Sequence, residues 1–283
     1  MDRKQTLTEV FQDTQRFYSQ TPRLASAIEE SMNKTKLYPP DAYPSLPEKR
    51  TAPCTVAVTK SKSFEAALRQ HAQYPNQKIT VLNFASATNP GGGVLHGSSA
   101  QEESLCRCST LYPTLDQPWL RNEYYQDNRQ RKDPRHTDAC IYSPGVMIIK
   151  TDDSIPRRMP EKDWIKVDVI SCAAPNLHPP FGETRPAIQL TEEEQYLLHL
   201  SRAKHILHIA AAHHTDTLIL GAFGCGAFQN NPWAVSKAYR CALNDYQQYF
   251  VHVEFAVFCR SYEDENYTAF FSTFQSEPAV EKE

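Results

Sequence analysis

Glycine is scarce in this chain. Its 283 residues contain nine, where average usage would supply about 7% of positions. Seven of the nine fall in two short segments, NPGGGVLHGSSAQEE with Gly91, Gly92, Gly93 and Gly97, and GAFGCGAFQNNP with Gly221, Gly224 and Gly226. A chain that avoids glycine elsewhere and concentrates it twice needs positive φ or close backbone approach at those two places. Long apolar runs are missing too. No stretch approaches ~18 consecutive apolar residues, so no segment is expected to cross a bilayer as a helix. The N-terminal MDRKQTLTEVFQDTQRFYSQTPR has neither an apolar core nor a small-residue cleavage site, so no secretory signal is expected there. An excess of positive charge is also absent. The formal net charge of −3 removes the global basic footprint of a duplex-DNA binder and leaves room for a local site for an anionic ligand. Eight cysteines at irregular spacing, two of them as Cys106-Arg107-Cys108, point to a reduced intracellular protein, cytoplasmic or nuclear, rather than to a disulfide scaffold.

What is present reads as an α/β chain. LTEVFQDTQRFYSQ and ASAIEESMNKTK carry apolar positions at three- and four-residue spacing, so residues 1–50 are expected to form accessory helices ending in the proline-rich connector Tyr38 to Pro47. Beyond it, the strand-like runs CTVAVT, ITVLNFA, VMIIK, IKVDVISCAA, DTLILGAF and HVEFAVFC alternate with helical patterns, including SFEAALRQHA and a helix from about Ser99 to Leu111. Short apolar runs that feed helices predict a mixed or parallel sheet covered on both faces. Thr191-Glu-Glu-Glu194 is a capping box that starts a long helix, and Pro232 suits the first turn of the helix after the second glycine segment. Residues 113–163 are polar and rich in Pro, Arg and Tyr, and are expected to form an extended insertion with short strands, while the charged tail from Ser276 is expected to fray.

Each glycine segment follows an apolar run and precedes a helical pattern. In an open α/β sheet, ligands bind beyond the carboxyl ends of the strands, so both segments should lie on one rim. Two readings compete for them. They are tight turns that allow close helix–sheet packing, or they bare the backbone so that a diphosphate lies against its N–H groups near a helix N-terminus. Gln101-Glu102-Glu103 bears on the choice. Carboxylates in a first helical turn are favoured by the macrodipole, but this does not explain their place some ten residues after a glycine triplet. There they would face a ribose attached to the diphosphate. One Glu would bind ribose hydroxyls while its neighbour serves as acid, then as base for water, in glycoside hydrolysis.

Gly91-Gly92-Gly93, seven residues, then Gln101-Glu102-Glu103 resembles the signature of the poly(ADP-ribose) glycohydrolases. The context NFASATNPGGGVLHGSSAQEESLCRCSTLY is similar to the shorter microbial-type branch, also found in fungi, and GAFGCGAFQNNP to its second phosphate loop. The resemblance spans roughly Cys54 to Cys259. It implies a macrodomain-like three-layer α/β/α fold with a central mixed sheet, residues 51–275 forming the catalytic domain, residues 1–50 the accessory helices and 276–283 a flexible tail. The implied activity is cleavage of ribose–ribose O-glycosidic bonds, mainly from chain ends, releasing ADP-ribose and reversing ADP-ribosylation in the DNA-damage response. By the same resemblance Glu103 matches the catalytic acid and Glu102 the partner that binds ribose, with Gln101 beside them. Asn89 lies where the family positions the distal ribose, and Phe228 matches an aromatic packed against it. Gly91, Gly92 and Gly93, with Gly221, Gly224, Cys225, Gly226 and Ala227, supply the two loops. No metal and no cofactor are implied. The implied partners are poly(ADP-ribose) and ADP-ribosylated proteins, with no membrane or duplex-DNA binding, and the chain is expected to be a monomer.

Other readings remain open at this level. A non-catalytic reader would use the same clamp without breaking a bond, and a mono-ADP-ribosyl hydrolase would act on a protein-linked unit. Adjacent carboxylates favour an enzyme over a reader of a polyanion, and the full Gln-Glu-Glu favours the polymer. Cys106 and Cys108 with His96 lack a second pair at zinc-ligand spacing. On a helix the two thiols point to different sides, which predicts one buried and one peripheral. His205 and His208, one turn apart, read as interfacial or solvent-facing, with His213 and His214 following. Arg121, Arg129, Arg131, Lys132 and Arg135 are interspersed with Glu123, Asp127 and Asp133, which favours a solvated loop over a polymer-binding track.

Overall fold

The computed structural model describes residues 2–178, 187–259 and 264–275; the tail from Ser276 lies outside the described residues. Its strands are Lys36–Tyr38 (β1), Thr55–Thr59 (β2), Ile79–Phe84 (β3), Cys140–Ile148 (β4), Ile165–Cys172 (β5), Thr217–Leu220 (β6) and His252–Ala256 (β7). They form one mixed sheet in the order β1-β4-β5-β3-β6-β7-β2. The five strands from β5 to β2 run parallel, while β4 pairs antiparallel with both β5 and β1. Strand β3 sits between β5 and β6 and is apolar on both faces, as a strand buried between helical layers must be. Ile79 and Val81 join a core shared with Phe64 and Leu105, whereas Leu82 joins a second core with Ile206 and Val235. The first core is covered by Ser63–Gln73 (α3) and Gln101–Cys108 (α4). The second is covered by Glu192–Ala212 (α8), Pro232–Tyr246 (α9) and Glu265–Gln275 (α10). Thr191 caps α8 through the predicted box, its hydroxyl accepting from Glu194 N at 3.1 Å.

The N-terminal helices Arg3–Gln20 (α1) and Pro22–Lys34 (α2) form as their periodicity predicts. Helix α1 lies over α4. Phe11 meets the edge of Tyr112 at 5.1 Å, Thr14 donates to the Arg107 carbonyl at 2.6 Å, and Asp13 pairs with the buried Lys150 at 2.8 Å. This cover explains a departure from expectation. Cys106 and Cys108 are both fully buried, because α4 has protein on its outer side as well as its inner one.

The segment 113–163 also differs from the extended insertion with short strands. It contains most of the short helix Leu111–Leu115 (α5), then Pro118–Leu120 (α6), a π-helical turn over Arg121–Gln126 and Asp127–Arg131 (α7), and it then supplies β4, a nine-residue member of the main sheet. The expected strand run VMIIK forms the end of β4, and the Ser-Pro-Gly that precedes it does not begin the strand. It is instead a bulge between Ser143 and Val146, where proline needs no ladder hydrogen bond and Gly145 adopts φ +69°. The α8 histidines are interfacial rather than solvent-facing. His205 meets the Ala42 carbonyl at 3.1 Å and His208 the Pro44 carbonyl at 2.6 Å, fastening the proline-rich connector to α8. No helix among the described residues is long and apolar enough to cross a membrane.

Candidate active site

The two glycine segments leave the same end of the neighbouring parallel strands β3 and β6. They border a cleft of about 1180 Å³, with Asn89, Gly92 and Gly93 on one side and Gly224, Gly226, Ala227 and Phe228 on the other. Gln101, Glu102 and Glu103, from the first turn of α4, form part of its wall. Gly91, Gly221 and Cys225 are not part of that lining. Gly91 turns at φ +66° against the Tyr112 ring, Gly221 abuts the Ala256 carbonyl, and the Cys225 thiol packs on the second core, where burial pushes its proton affinity up.

Helix α4 is docked through its first residues. The Gln101 side-chain carbonyl accepts from Phe84 N at 2.9 Å, and its amide donates to the Leu82 carbonyl at 2.8 Å and to the Ser63 hydroxyl at 3.0 Å. Gln101 thus satisfies backbone groups where β3 runs out, a positioning contact that sets the two carboxylates that follow. Glu102 is 3% exposed; Ser86 N donates to its Oε2 at 2.7 Å and the Asn83 amide to its Oε1 at 3.3 Å. Burial pushes the Glu102 carboxyl up to about 8, the neighbouring Glu103 charge adds to the rise, and the hydrogen bonds offset only part of it. Glu103 is held by one oxygen alone. Gly93 N donates to its Oε1 at 2.8 Å, while Oε2 has no partner among the described residues.

This geometry changes the reading of the first glycine segment. The N–H groups expected to cradle a diphosphate are already engaged: Gly93 donates to Glu103, Gly92 to the Asn89 carbonyl at 3.0 Å, and the Gly91 N–H faces Glu102. Gly92 must be glycine for a further reason. At φ +57°, a Cβ there would lie 2.5 Å from Glu103 Oε1 and 3.0 Å from Glu102 Oε2.

The second segment keeps its donors. The N–H groups of Gly224, Gly226, Ala227 and Phe228 donate to no acceptor among the described residues, and the space beside the Gly226 Cα is open. Asn230, 2% exposed, holds this loop in shape. Its amide donates to the carbonyls of Pro175 at 2.7 Å and Gly224 at 2.9 Å, and its Oδ1 meets His199 Nε2 at 2.9 Å. Four N–H groups left without acceptors in one turn make this loop a candidate anion site. Phe228 stands half-buried beside it, edge-on to His136 at 6.3 Å, and Asn89 is exposed across the cleft.

The basic residues of the insertion are mostly tied down. Arg121 pairs with Asp116, Arg131 with Asp127 at 2.6 Å and Arg135 with Asp133 at 2.7 Å, and Arg129 donates to the Thr88 carbonyl. Sequence reasoning missed Asn83, Ser86 and Asn230, which position the carboxylates and the second loop. Asn83 had left a signal, as a polar residue inside the otherwise apolar run ITVLNF. Asn230 had not, because Asn-Asn-Pro reads as a helix cap and Asn231 does fill that role.

A mixed sheet under two helical layers, with two glycine loops on adjacent parallel strands and paired buried carboxylates between them, defines a macrodomain-like hydrolase. Residues 4–151 match the family model described as microbial-type PARG, catalytic domain. Among solved structures, the poly(ADP-ribose) glycohydrolase of Thermomonospora curvata superposes with a TM-score of 0.81 at 28% identity, over 95% of this chain and 100% of that one. The poly(ADP-ribose) glycohydrolase of Deinococcus radiodurans in complex with ADP-ribose gives 0.74 at 34% identity, over 87% and 96%. The Thermomonospora curvata enzyme bound to the inhibitor ADP-HPD gives 0.78 at 28%, over 95% and 99%. A search of curated protein sequences finds no match. The chain belongs to the microbial-type poly(ADP-ribose) glycohydrolase family, and it is a glycosidase.

Proposed function

We propose that this poly(ADP-ribose) glycohydrolase removes ADP-ribose units from chain ends, with Glu103 as the catalytic acid and Glu102 as the group that holds the reacting ribose. The observation that carries the assignment is the asymmetry of the two carboxylates. Both Glu102 oxygens accept hydrogen bonds from the protein, whereas Glu103, part of the cleft wall, is fixed through Oε1 alone and its buried Oε2 has no partner among the described residues. In the reaction, the Glu103 carboxyl gives its proton to the glycosidic oxygen as the bond to the anomeric carbon breaks. The resulting carboxylate then takes a proton from the water that attacks that carbon, which restores the acid and leaves two hydroxyl products.

The free N–H groups of Gly224 to Phe228 support placing the diphosphate over the second loop, with Phe228 and Asn89 flanking the distal ribose. End-trimming is supported by the wall beside Gly93. There Gly97 packs its backbone on the Lys4 carbonyl, and Arg3 and Leu7 of α1 border the cleft, so α1 stands along the side of the cleft next to the turn that holds Glu103. The chain acts as a monomer inside the cell on polymer-bearing proteins, without contacting duplex DNA. The test is incubation of wild type and Glu103→Gln with an automodified polymerase. Wild type should release ADP-ribose without accumulating oligomers. Glu103→Gln should lose about 10²–10⁴ in rate, the usual yield of general acid–base catalysis. Near-wild-type turnover by Glu103→Gln would remove Glu103 from the reaction, and oligomeric products from wild type would remove the end-trimming reading.

A further inference from the structure

We infer that Arg107 is a positioning residue for the reaction, holding the Gly93–Ser98 turn so that the turn in turn fixes the Glu103 carboxylate. Arg107 lies one helical turn after Glu103 on α4, borders the cleft and is 2% exposed. Its Nη1 donates to the Ser98 carbonyl at 2.6 Å, while its Nε, fully buried, has no partner among the described residues. Ser98 N donates back to the Gly93 carbonyl at 3.2 Å, which closes the turn, and Gly93 N reaches Glu103 Oε1 at 2.8 Å. The three contacts make one chain from guanidinium to carboxylate.

A buried cation is costly unless it is paired or hydrogen-bonded, and a core filler of the same volume would serve packing better. Arg107 spends a short charge-assisted bond on a single carbonyl, and that carbonyl belongs to the turn that grips Glu103. Backbone bonds also shape the turn, His96 N to the Gly93 carbonyl at 2.9 Å and Gly97 N to the Val94 carbonyl at 3.3 Å, and the guanidinium adds a side-chain bond at its Ser98 end. Gly93 lies so close to Ser98 that a Cβ there would sit 2.9 Å from the Ser98 Cβ, and Gly97 turns at φ +73°. Without the guanidinium the Ser98 end of the turn loosens, and with it the placement of Gly93 N, the anchor of Glu103 Oε1. Misplacement of a reacting group by about 1 Å can cost on the order of 10²-fold in rate.

The inference rests on Glu103 as the acid, so the experiment runs both sites side by side in the full chain. It measures kcat and KM on poly(ADP-ribose), ADP-ribose Kd by calorimetry, and thermal unfolding. Arg107→Gln is expected to lower kcat by about 10²-fold while ADP-ribose Kd stays within about threefold. Arg107→Lys, which keeps the charge but reaches the carbonyl with one point donor, is expected to recover part of that loss. Should Arg107→Gln fail to fold, Arg107→Lys decides: several-fold lower kcat at unchanged Kd supports positioning, and full wild-type kcat overturns it. A folded Arg107→Gln with wild-type kcat overturns it, as does a Kd that weakens in step with kcat, which would make Arg107 a ligand contact. An active Glu103→Gln would sink the assignment of the acid itself. An inactive Glu103→Gln beside an unimpaired Arg107→Gln would sink the positioning role alone.

Discussion

Gly93 donates its backbone N–H to Oε1 of Glu103 at 2.8 Å, so the glycine triplet grips a carboxylate before any ligand arrives. The triplet and the Gln-Glu-Glu run are two halves of one device. The loop bends at positive φ to bring N–H groups onto α4, and α4 is pinned to β3 by Gln101 so that its carboxylates meet them. The second segment is the one whose N–H donors remain without acceptors among the described residues, as the proposed diphosphate site requires.

This division predicts the effect of Gly92→Ala. The added Cβ meets both carboxylates, and the backbone must keep φ +57° with a side chain attached. Such strain costs about 1–3 kcal/mol, which thermal unfolding will register. Glu103 must also rotate away from Gly93. Turnover should therefore fall well before ADP-ribose affinity does. Equal losses of affinity and turnover in the folded variant would return the triplet to the role of a phosphate cradle.

Ligand selectivity follows from the second loop and the carboxylates together. Free ADP-ribose, which presents two phosphates and a distal ribose, should raise the melting temperature far more than AMP at equal concentration. At about a hundredfold excess over Kd, a ligand specific for the folded state adds about 2.7 kcal/mol. Equal shifts with the two compounds would mean that the loop and the carboxylates do not share one ligand.

Glu102 makes a pH prediction. A carboxyl raised to about 8 in the folded state, from about 4.5, contributes stability that is fully present below about pH 4.5 and is lost as pH rises through 8. The buried His136, His199 and His213 act in the opposite sense. Burial lowers each to about 4, so the stability they lend is present above about pH 6.5 and lost in acid. The window from pH 6.5 to 8 therefore reports on Glu102, because above it the buried thiols, raised from about 9, begin to act in the same sense. There the melting temperature of ligand-free wild type should decline more steeply than that of Glu102→Gln, at about 1.4 kcal/mol per pKa unit. Parallel curves for the two proteins would refute the raised proton affinity.

Much of this arrangement was legible before the structure. ITVLNFA, IKVDVISCAA and DTLILGAF announced buried parallel strands because they are apolar on both faces, and glycine scarcity marked the loops that follow two of them. Only the end of strand β4 was legible, as the run VMIIK; its first half, before the bulge at Pro144 and Gly145, was not. The occupied N–H groups of the triplet could not be read from spacing. They depend on α4 folding back onto β3, a contact set by the Gln101 side chain rather than by any local pattern. The two buried thiols of α4 followed from α1 lying over it, which helical periodicity within α4 alone does not reveal.

Asn230 gives the sharpest test of the second loop. Its amide supplies hydrogen to the Pro175 and Gly224 carbonyls, and its Oδ1 accepts from His199 Nε2. Asn230→Ala strands the Pro175 carbonyl and His199 Nε2, at about 1–3 kcal/mol for each, while the Gly224 carbonyl keeps the backbone N–H of residue 230 at 3.1 Å. It also frees the turn that presents the N–H groups of Gly224 to Phe228. Melting temperature and ADP-ribose affinity should fall together, the latter by about tenfold if roughly 1.4 kcal/mol of ordering must be supplied on binding. Asn230→Asp is nearly the same shape and keeps the acceptor for His199, yet it turns a carboxylate oxygen toward two carbonyl oxygens. It should be no better than alanine in calorimetry or thermal unfolding. If Asn230→Asp instead retained wild-type affinity and stability, the amide hydrogens would be irrelevant, and the loop would owe its shape to glycine and packing alone.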